Sequence, residues 1–214
     1  MIIENREPGS QAEELRDEPV EQTDMTEPNM WKREIVNPDD AMVQEIFDME
    51  MQCYPPEMME PSEPGITAEE ELKEVLETEG VHILIEDAEG PFGHISAVDL
   101  ETEREYFEKN DPDFKFQENA LYINTIDIIK RRNQQEGLER PKALGMLWDE
   151  FIKQAVADGY KTAVMYAREK ESRVLQKVLG AEKFRTMPNW LEMEEDFDYL
   201  ELNLTPKEEK AKAE

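Results

Sequence analysis

Residues 130–142, KRRNQQEGLERPK, set five basic side chains, Lys130, Arg131, Arg132, Arg140 and Lys142, against two acids, Glu136 and Glu139. They lead directly into ALGMLWDEF, the start of an apolar helical pattern. A helix N-terminus carries unpaired N–H groups and a partial positive charge, so basic side chains beside it make a place for phosphate. A second basic excess follows at 168–185, REKESRVLQKVLGAEKFR, with six bases and three acids. Both islands stand in a chain of 53 acidic and 24 basic residues with a formal charge of -29, which repels nucleic-acid backbones and anionic membrane surfaces. The chemistry expected is binding of a small phosphate-bearing ligand. The plain alternative is a charged strand-to-helix loop that holds nothing.

Other side chains with chemical potential are few. The two histidines, His82 and His94, fall in apolar strand patterns, where a hydrogen-bonded structural role is the expectation and a base is the alternative. The one cysteine, Cys53, has no evident basic neighbour to lower its pKa and excludes an internal disulfide. No Cys/His cluster suggests a metal site. Met42, Met49, Met51, Met58 and Met59 suit packing, or an adaptable surface on the acceptor side of a site. Glu57, Glu60, Glu63 and Glu69–Glu71 lie nearby and would favour a cationic acceptor.

The elements that must position these groups follow from periodicity. Residues 1–30 hold nine acids, two arginines and three prolines without an apolar repeat, which predicts a disordered acidic arm, for solubility or for docking a basic partner. Residues 205–214 are expected to be a C-terminal tail, leaving one folded domain over 31–204. Within it, WKREIV reads as a strand, and the stretch from Asn37 as a helix with Met42, Ile46 and Met49 inward. TAEEELKEVLET carries the Thr67–Glu70 capping-box pattern, and VHILIED and PFGHISAVDL form a hairpin. Residues 101–119 are charged and aperiodic and predict a surface excursion. ALYINTIDII is a strand, and a helix over 141–157 turns Leu144, Leu147, Trp148, Phe151, Ile152 and Ala155 inward. KTAVMYA, ESRVLQKVL and FDYLELNL add strand, helix and strand, and the strand–helix–strand unit predicts parallel neighbours joined by a right-handed crossover. No segment is apolar for long enough to span a bilayer, and no signal sequence is evident, so a cytoplasmic setting is expected.

This order resembles the GNAT N-acetyltransferases over nearly all of 31–204. RPKALG is similar to the family's pyrophosphate loop, with Arg140 and Gly145 in place and Ala143 where the first glycine stands. EGPFGHISAV and VLQKVLGAEKF resemble its second and third strands and its later helix and turn. The resemblance implies an α+β (α/β) fold, a mixed sheet of about six to seven strands with helices on both faces, the fourth and fifth strands parallel and splayed. It further implies acetyl-CoA as cofactor and an amine as acetyl acceptor. Carried over by position, Ile126, Ile128 and Ile129 would offer backbone groups to pantetheine. Arg131, Arg132, Arg140, Lys142, Ala143, Leu144 and Gly145 would hold pyrophosphate, although a packing role for Gly145 is the equal alternative.

The chain departs from the family where chemistry is expected. The usual strand-four acid and later tyrosine fall at Asn124 and Gln176, neither of which titrates, and Ala181 follows Gly180 where the family has an aromatic residue. Asp127, Tyr122 and Glu118 are candidate replacements, with none singled out. Two readings follow: an N-acetyltransferase, or a non-catalytic GNAT-like interaction protein. The Leu-Gly-Ala turn is also similar to diverged GNAT-like domains of phage virion proteins, which adds a virion setting to the second reading.

Overall fold

The computed structural model describes residues 31–54, 61, 65–129, 139–190 and 195–205, with backbone only at Arg33 and Glu139–Pro141. The acidic arm, the tail beyond residue 205, Lys130, Arg131 and Arg132, and Met58 and Met59 lie outside the described residues.

Among the described residues twelve elements follow one another: β1 (Trp31–Glu34), α1 (Asp40–Glu50), α2 (Ala68–Glu77), β2 (Gly80–Asp87), β3 (Gly90–Asp99), α3 (Arg104–Asn110), β4 (Ala120–Ile128), α4 (Glu139–Ala157), β5 (Thr162–Arg168), α5 (Glu169–Leu179), β6 (Glu182–Met187) and β7 (Phe197–Asn203). Local chemistry fixes their starts and stops. Asp39 caps α1 by accepting from the Met42 N–H at 2.8 Å. Thr67 and Glu70 form the reciprocal capping box at α2. Gly180 ends α5 in the left-handed region at φ 72°, where a side chain would be strained.

The strands form a single sheet in the order β1-β2-β3-β4-β5-β7-β6, antiparallel throughout except for β4 beside β5. Val81 through Ile85 are buried without alternation, so both faces of the sheet are covered. α1 lies over the face that carries His94, because Glu50 reaches that side chain, and α4 packs on β2 and β3 through Ala143, Leu147, Trp148, Phe151 and Ala155.

Two elements differ from the sequence expectation. Residues 101–119 are no simple excursion: they include α3, whose Phe107 is fully buried among Phe114, Phe116, Tyr122 and Tyr166 in a second, aromatic core. Phe107, Phe114 and Phe116 are too irregularly spaced to register as a periodic face. β6 is also unheralded, because it is an edge strand paired only with β7 and largely exposed, so its sequence has no apolar alternation to betray it.

Candidate functional site

The site begins at a break in β4. Ser96 of β3 stands opposite Thr125 and Ala97 opposite Ile123, which leaves Asn124 without a partner as a bulge. A bulge bends its strand, and β4 leaves β5 at this point. The parallel ladder holds Ala120, Leu121 and Tyr122 against Thr162, Ala163 and Val164 and goes no further, although β4 runs on to Ile128 and β5 to Arg168. Past Tyr122, the backbone groups on the β5 side of β4 have no strand partner among the described residues. α4 and α5 follow β4 and β5, so both helix N-termini lie at the end of the sheet where these strands part.

The residues expected at a phosphate site fall as follows. Ile126 and Ile128 are half-buried on the splayed part of β4, and Ile129, just beyond it, is buried with its N–H bonded to the Phe92 carbonyl at 3.0 Å. α4 begins at Glu139, two residues ahead of the expected start, so Arg140–Gly145 lie within its first two turns. In a helix that starts there, N–H groups from Lys142 onward enter the helical ladder, and those available to an anion belong to the first turn, where Pro141 has none. Ala143 is buried against the sheet, Lys142 is exposed, and Leu144 and Gly145 are half-buried. A Cβ built on Gly145 would meet nothing within 4 Å. Close packing of the helix therefore does not require this glycine, and that explanation is set aside.

Most of the second basic island is ion-paired. Arg168 pairs with Glu195, Arg173 with Glu169, Lys183 with Asp198 at 2.6 Å, and Arg185 with buried Asp111. Its charge mainly secures the β5–β7–β6 end of the sheet.

On the α1 face of the sheet, beside the bulge, lies a buried polar cluster that no linear motif announces. His94 stands directly across from Asp127, and Glu50 of α1 sits above them; their exposures are 0%, 3% and 7%. One nitrogen or carboxylate oxygen from each lies within 4.8 Å of the others. Glu50 Oε1 is 3.2 Å from His94 Nδ1, a pairing in which the carboxylate selects the tautomer with the proton on Nδ1, while Nε2 has no hydrogen-bond partner among the described residues. Thr125 Oγ1 donates to Asp127 Oδ2 at 2.9 Å, and Tyr54 Oη is 3.2 Å from Thr125 Oγ1. Burial, and next the charge of Glu50, push the Asp127 carboxyl up to about 6; the Tyr54 and Thr125 hydroxyls and His94 oppose that rise. Burial and the neighbouring Asp127 push the Tyr54 phenol well above its ordinary range. The three groups are close enough to share a cation, but Glu50 already engages His94 and Asp127 already accepts from Thr125. Both carboxylates are thus engaged in hydrogen bonds inside the cluster, and His94 Nε2 is the atom left over.

Of the candidate acid–base residues, Asp127 and His94 enter this cluster. Tyr122 belongs to the aromatic core, and Glu118 is exposed. Gln176 donates to Ser172 Oγ at 2.9 Å, which in turn donates to Asp198 at 2.7 Å, so it serves the packing of α5. His82, as expected, is structural: its ring nitrogens lie 2.9 Å from Ser96 Oγ and 3.2 Å from the Thr78 carbonyl, and burial holds its pKa down to about 4. Glu50, Tyr54 and the special position of His94 were missed. A signal for Glu50 existed, since it falls four residues after Ile46 on the inner stripe of α1.

No family model matches this sequence, and no curated protein aligns with it. Solved structures do. An aminoglycoside 6'-acetyltransferase of type Ii shares 14% identity over 83% of this chain and 99% of its own, with a TM-score of 0.57. An aminoglycoside 6'-N-acetyltransferase complexed with coenzyme A matches at 14% identity over 83% and 98%, with a TM-score of 0.57. The chain has the GNAT fold. The ribosomal-protein-S18-alanine N-acetyltransferase from Escherichia coli superposes over 82% of this chain and 96% of its own at 9% identity and a TM-score of 0.53. At such identities the GNAT likeness is one of fold: a seven-stranded mixed sheet with β4 and β5 parallel and parting. Among the described residues, no helix is long and apolar enough to cross a membrane.

Proposed function

We propose that this chain is an acyl-CoA-dependent N-acyltransferase that transfers an acetyl group to an amine. One observation carries the reading: the β4–β5 ladder ends at Tyr122, just ahead of the bulge at Asn124, leaving an unzipped strand edge at the end of the sheet where α4 begins. A pantetheine arm is a chain of amides, and an unpaired strand edge is what such a chain can pair with, as an added strand would. The residues present fit the group. Ile126 and Ile128 would supply the edge, the Ile129 N–H being turned to Phe92 instead, and Arg140, Lys142 and the first-turn N–H groups of α4 would face the pyrophosphate. Leu144 and Gly145 would line the helix beside it, where the open space over Gly145 leaves room for approach. Arg131 and Arg132 extend the same basic loop. Acyl-CoA, when bound, supplies an activated thioester. The chain positions that carbonyl, polarises it with backbone N–H groups and brings the amine to it.

A non-catalytic, assembly-type GNAT protein is the second reading, favoured by Asn124 and Gln176 at the positions where the family keeps titrating groups. Calorimetry with acetyl-CoA on the wild type and on Lys142→Glu, followed by thiol-release assays with a panel of primary amines, separates the two. The acyltransferase reading expects binding that Lys142→Glu weakens, and amine-dependent thiol release. Absence of binding at millimolar acetyl-CoA would leave the fold as a scaffold.

A further inference from the structure

Asn124 cannot serve as a base, yet an alkylammonium acceptor must lose a proton before its nitrogen can attack a thioester. The buried cluster offers a different destination for that proton. Thr125 has one hydroxyl proton, and it points to Asp127 Oδ2. Tyr54, 3.2 Å from Thr125 Oγ1 and also hydrogen-bonded with Asp127, directs its proton toward the same Thr125–Asp127 pair. The lone pairs of the Tyr54 oxygen are left as the outer acceptor of the series. Tyr54 and Thr125 are half-buried while Asp127 is buried, so the chain of hydroxyls runs from the accessible side inward.

We propose that Tyr54, Thr125 and Asp127 form a hydroxyl relay that carries the acceptor amine's proton to a buried carboxylate, in place of the direct base that Asn124 cannot provide. This rests on the acyltransferase reading. The ammonium gives a proton to the Tyr54 oxygen, Tyr54 passes its own to Thr125, and Thr125 passes its own to Asp127, which ends as a carboxylic acid. The freed nitrogen lone pair forms the N–C bond to the thioester carbonyl and the C–S bond breaks, its electron pair leaving on sulfur. The second N–H proton of the attacking amine neutralises the thiolate. Asp127 returns its proton to solvent along the same hydroxyls, which restores their direction.

Glu50 and His94 act on the relay as positioning residues. Glu50 adds negative charge beside Asp127 and makes that carboxylate more proton-accepting, and His94, held by Glu50 through Nδ1, sits across the strand from it. With Tyr54, these are the titratable groups that face Asp127: Glu50 and Tyr54 from the α1 side and His94 from β3.

The test is the pH profile of kcat/KM for amine acetylation in wild type, Thr125→Val, Thr125→Ser, Asp127→Asn and Glu50→Gln. Each protein is also titrated with acetyl-CoA, and the Asp127 carboxyl is followed by carbon-13 NMR. The expected result is an acid limb near pH 6 in the wild type, matching the titration of Asp127. Thr125→Val and Asp127→Asn should each lower kcat about a hundredfold with acetyl-CoA binding retained, and Thr125→Ser should restore it. Glu50→Gln should move the acid limb and the Asp127 titration together to lower pH. Wild-type turnover with an unchanged rate and acid limb in Thr125→Val would overturn the relay alone, as would an Asp127 carboxyl that titrates near 4, the ordinary range. A wild type that neither binds acetyl-CoA nor releases thiol would overturn the acyltransferase reading, and the relay with it.

Discussion

At the scale of single residues, the structure separates two buried groups whose titrations oppose each other. Asp127 is pushed up to about 6 by burial and by Glu50, so the folded state binds a proton that an unfolded carboxylate with a pKa near 3.9 releases. Its contribution to stability is present below pH 4 and is lost as pH rises through 6. His82 is held down to about 4 by burial, so its contribution is present above pH 6.5 and is lost as pH falls through 4. Each is worth on the order of 3 kcal/mol, and between pH 4 and 6 they nearly cancel. Urea unfolding across that range should therefore show little dependence from this pair in the wild type. Asp127→Asn should uncover stability that climbs with pH, because in this range His82 takes up a proton on unfolding that the folded state excludes; a flat profile in that variant would contradict the assignment. Gly145→Ala belongs to this scale too. Its Cβ meets nothing, so the helix should gain about 1 kcal/mol of stability, while acetyl-CoA affinity should fall if the cofactor approaches that backbone. Urea midpoints and calorimetry read the two effects separately.

At the scale of elements, legibility follows burial pattern. The inner face of α4 could be read because Leu147, Trp148, Phe151 and Ala155 recur at helical spacing, and the parallel placement of β4 and β5 because a helix joins them. The bulge at Asn124 could not be read, since it exists only in the register between β3 and β4. For the same reason Asp127 was one candidate among several until His94 appeared across the strand and Glu50 above it. α3 was hidden by its surroundings: Glu101, Glu103, Arg104 and Glu105 are charged, and the single residue that anchors the element is Phe107. Phe107→Ala should accordingly cost about 3–5 kcal/mol, far more than a surface-loop residue would, with the loss read in the unfolding midpoint and in near-ultraviolet dichroism of the tyrosine cluster. A cost below about 0.5 kcal/mol would restore the description of 101–119 as a surface excursion. Glu50→Ala, by contrast, leaves His94 Nδ1 as well as Nε2 without a partner in the core, and should destabilise by a few kcal/mol.

At the scale of the whole molecule, a net charge of -29 makes the basic run ahead of α4 the outlier of the sequence, and α4 itself begins at the end of the sheet where β4 and β5 part. The opening and the helix N-terminus meet at one end of one sheet, and the proposed cofactor, with a phosphate at one end and a thioester at the other, would span them. Acetyl-CoA at a hundred times its Kd should stabilise the protein by about 2.7 kcal/mol, measurable as a rise in the unfolding midpoint. The most direct test localises the ligand: acetyl-CoA is titrated into protein with labelled isoleucine methyls and the resonances are followed by NMR. Binding in the splay predicts saturable shifts at Ile126, Ile128 and Ile129, with Ile46 and Ile35 under α1 and β1 unmoved. Shifts confined to residues away from β4, or none at saturating acetyl-CoA, would contradict the account.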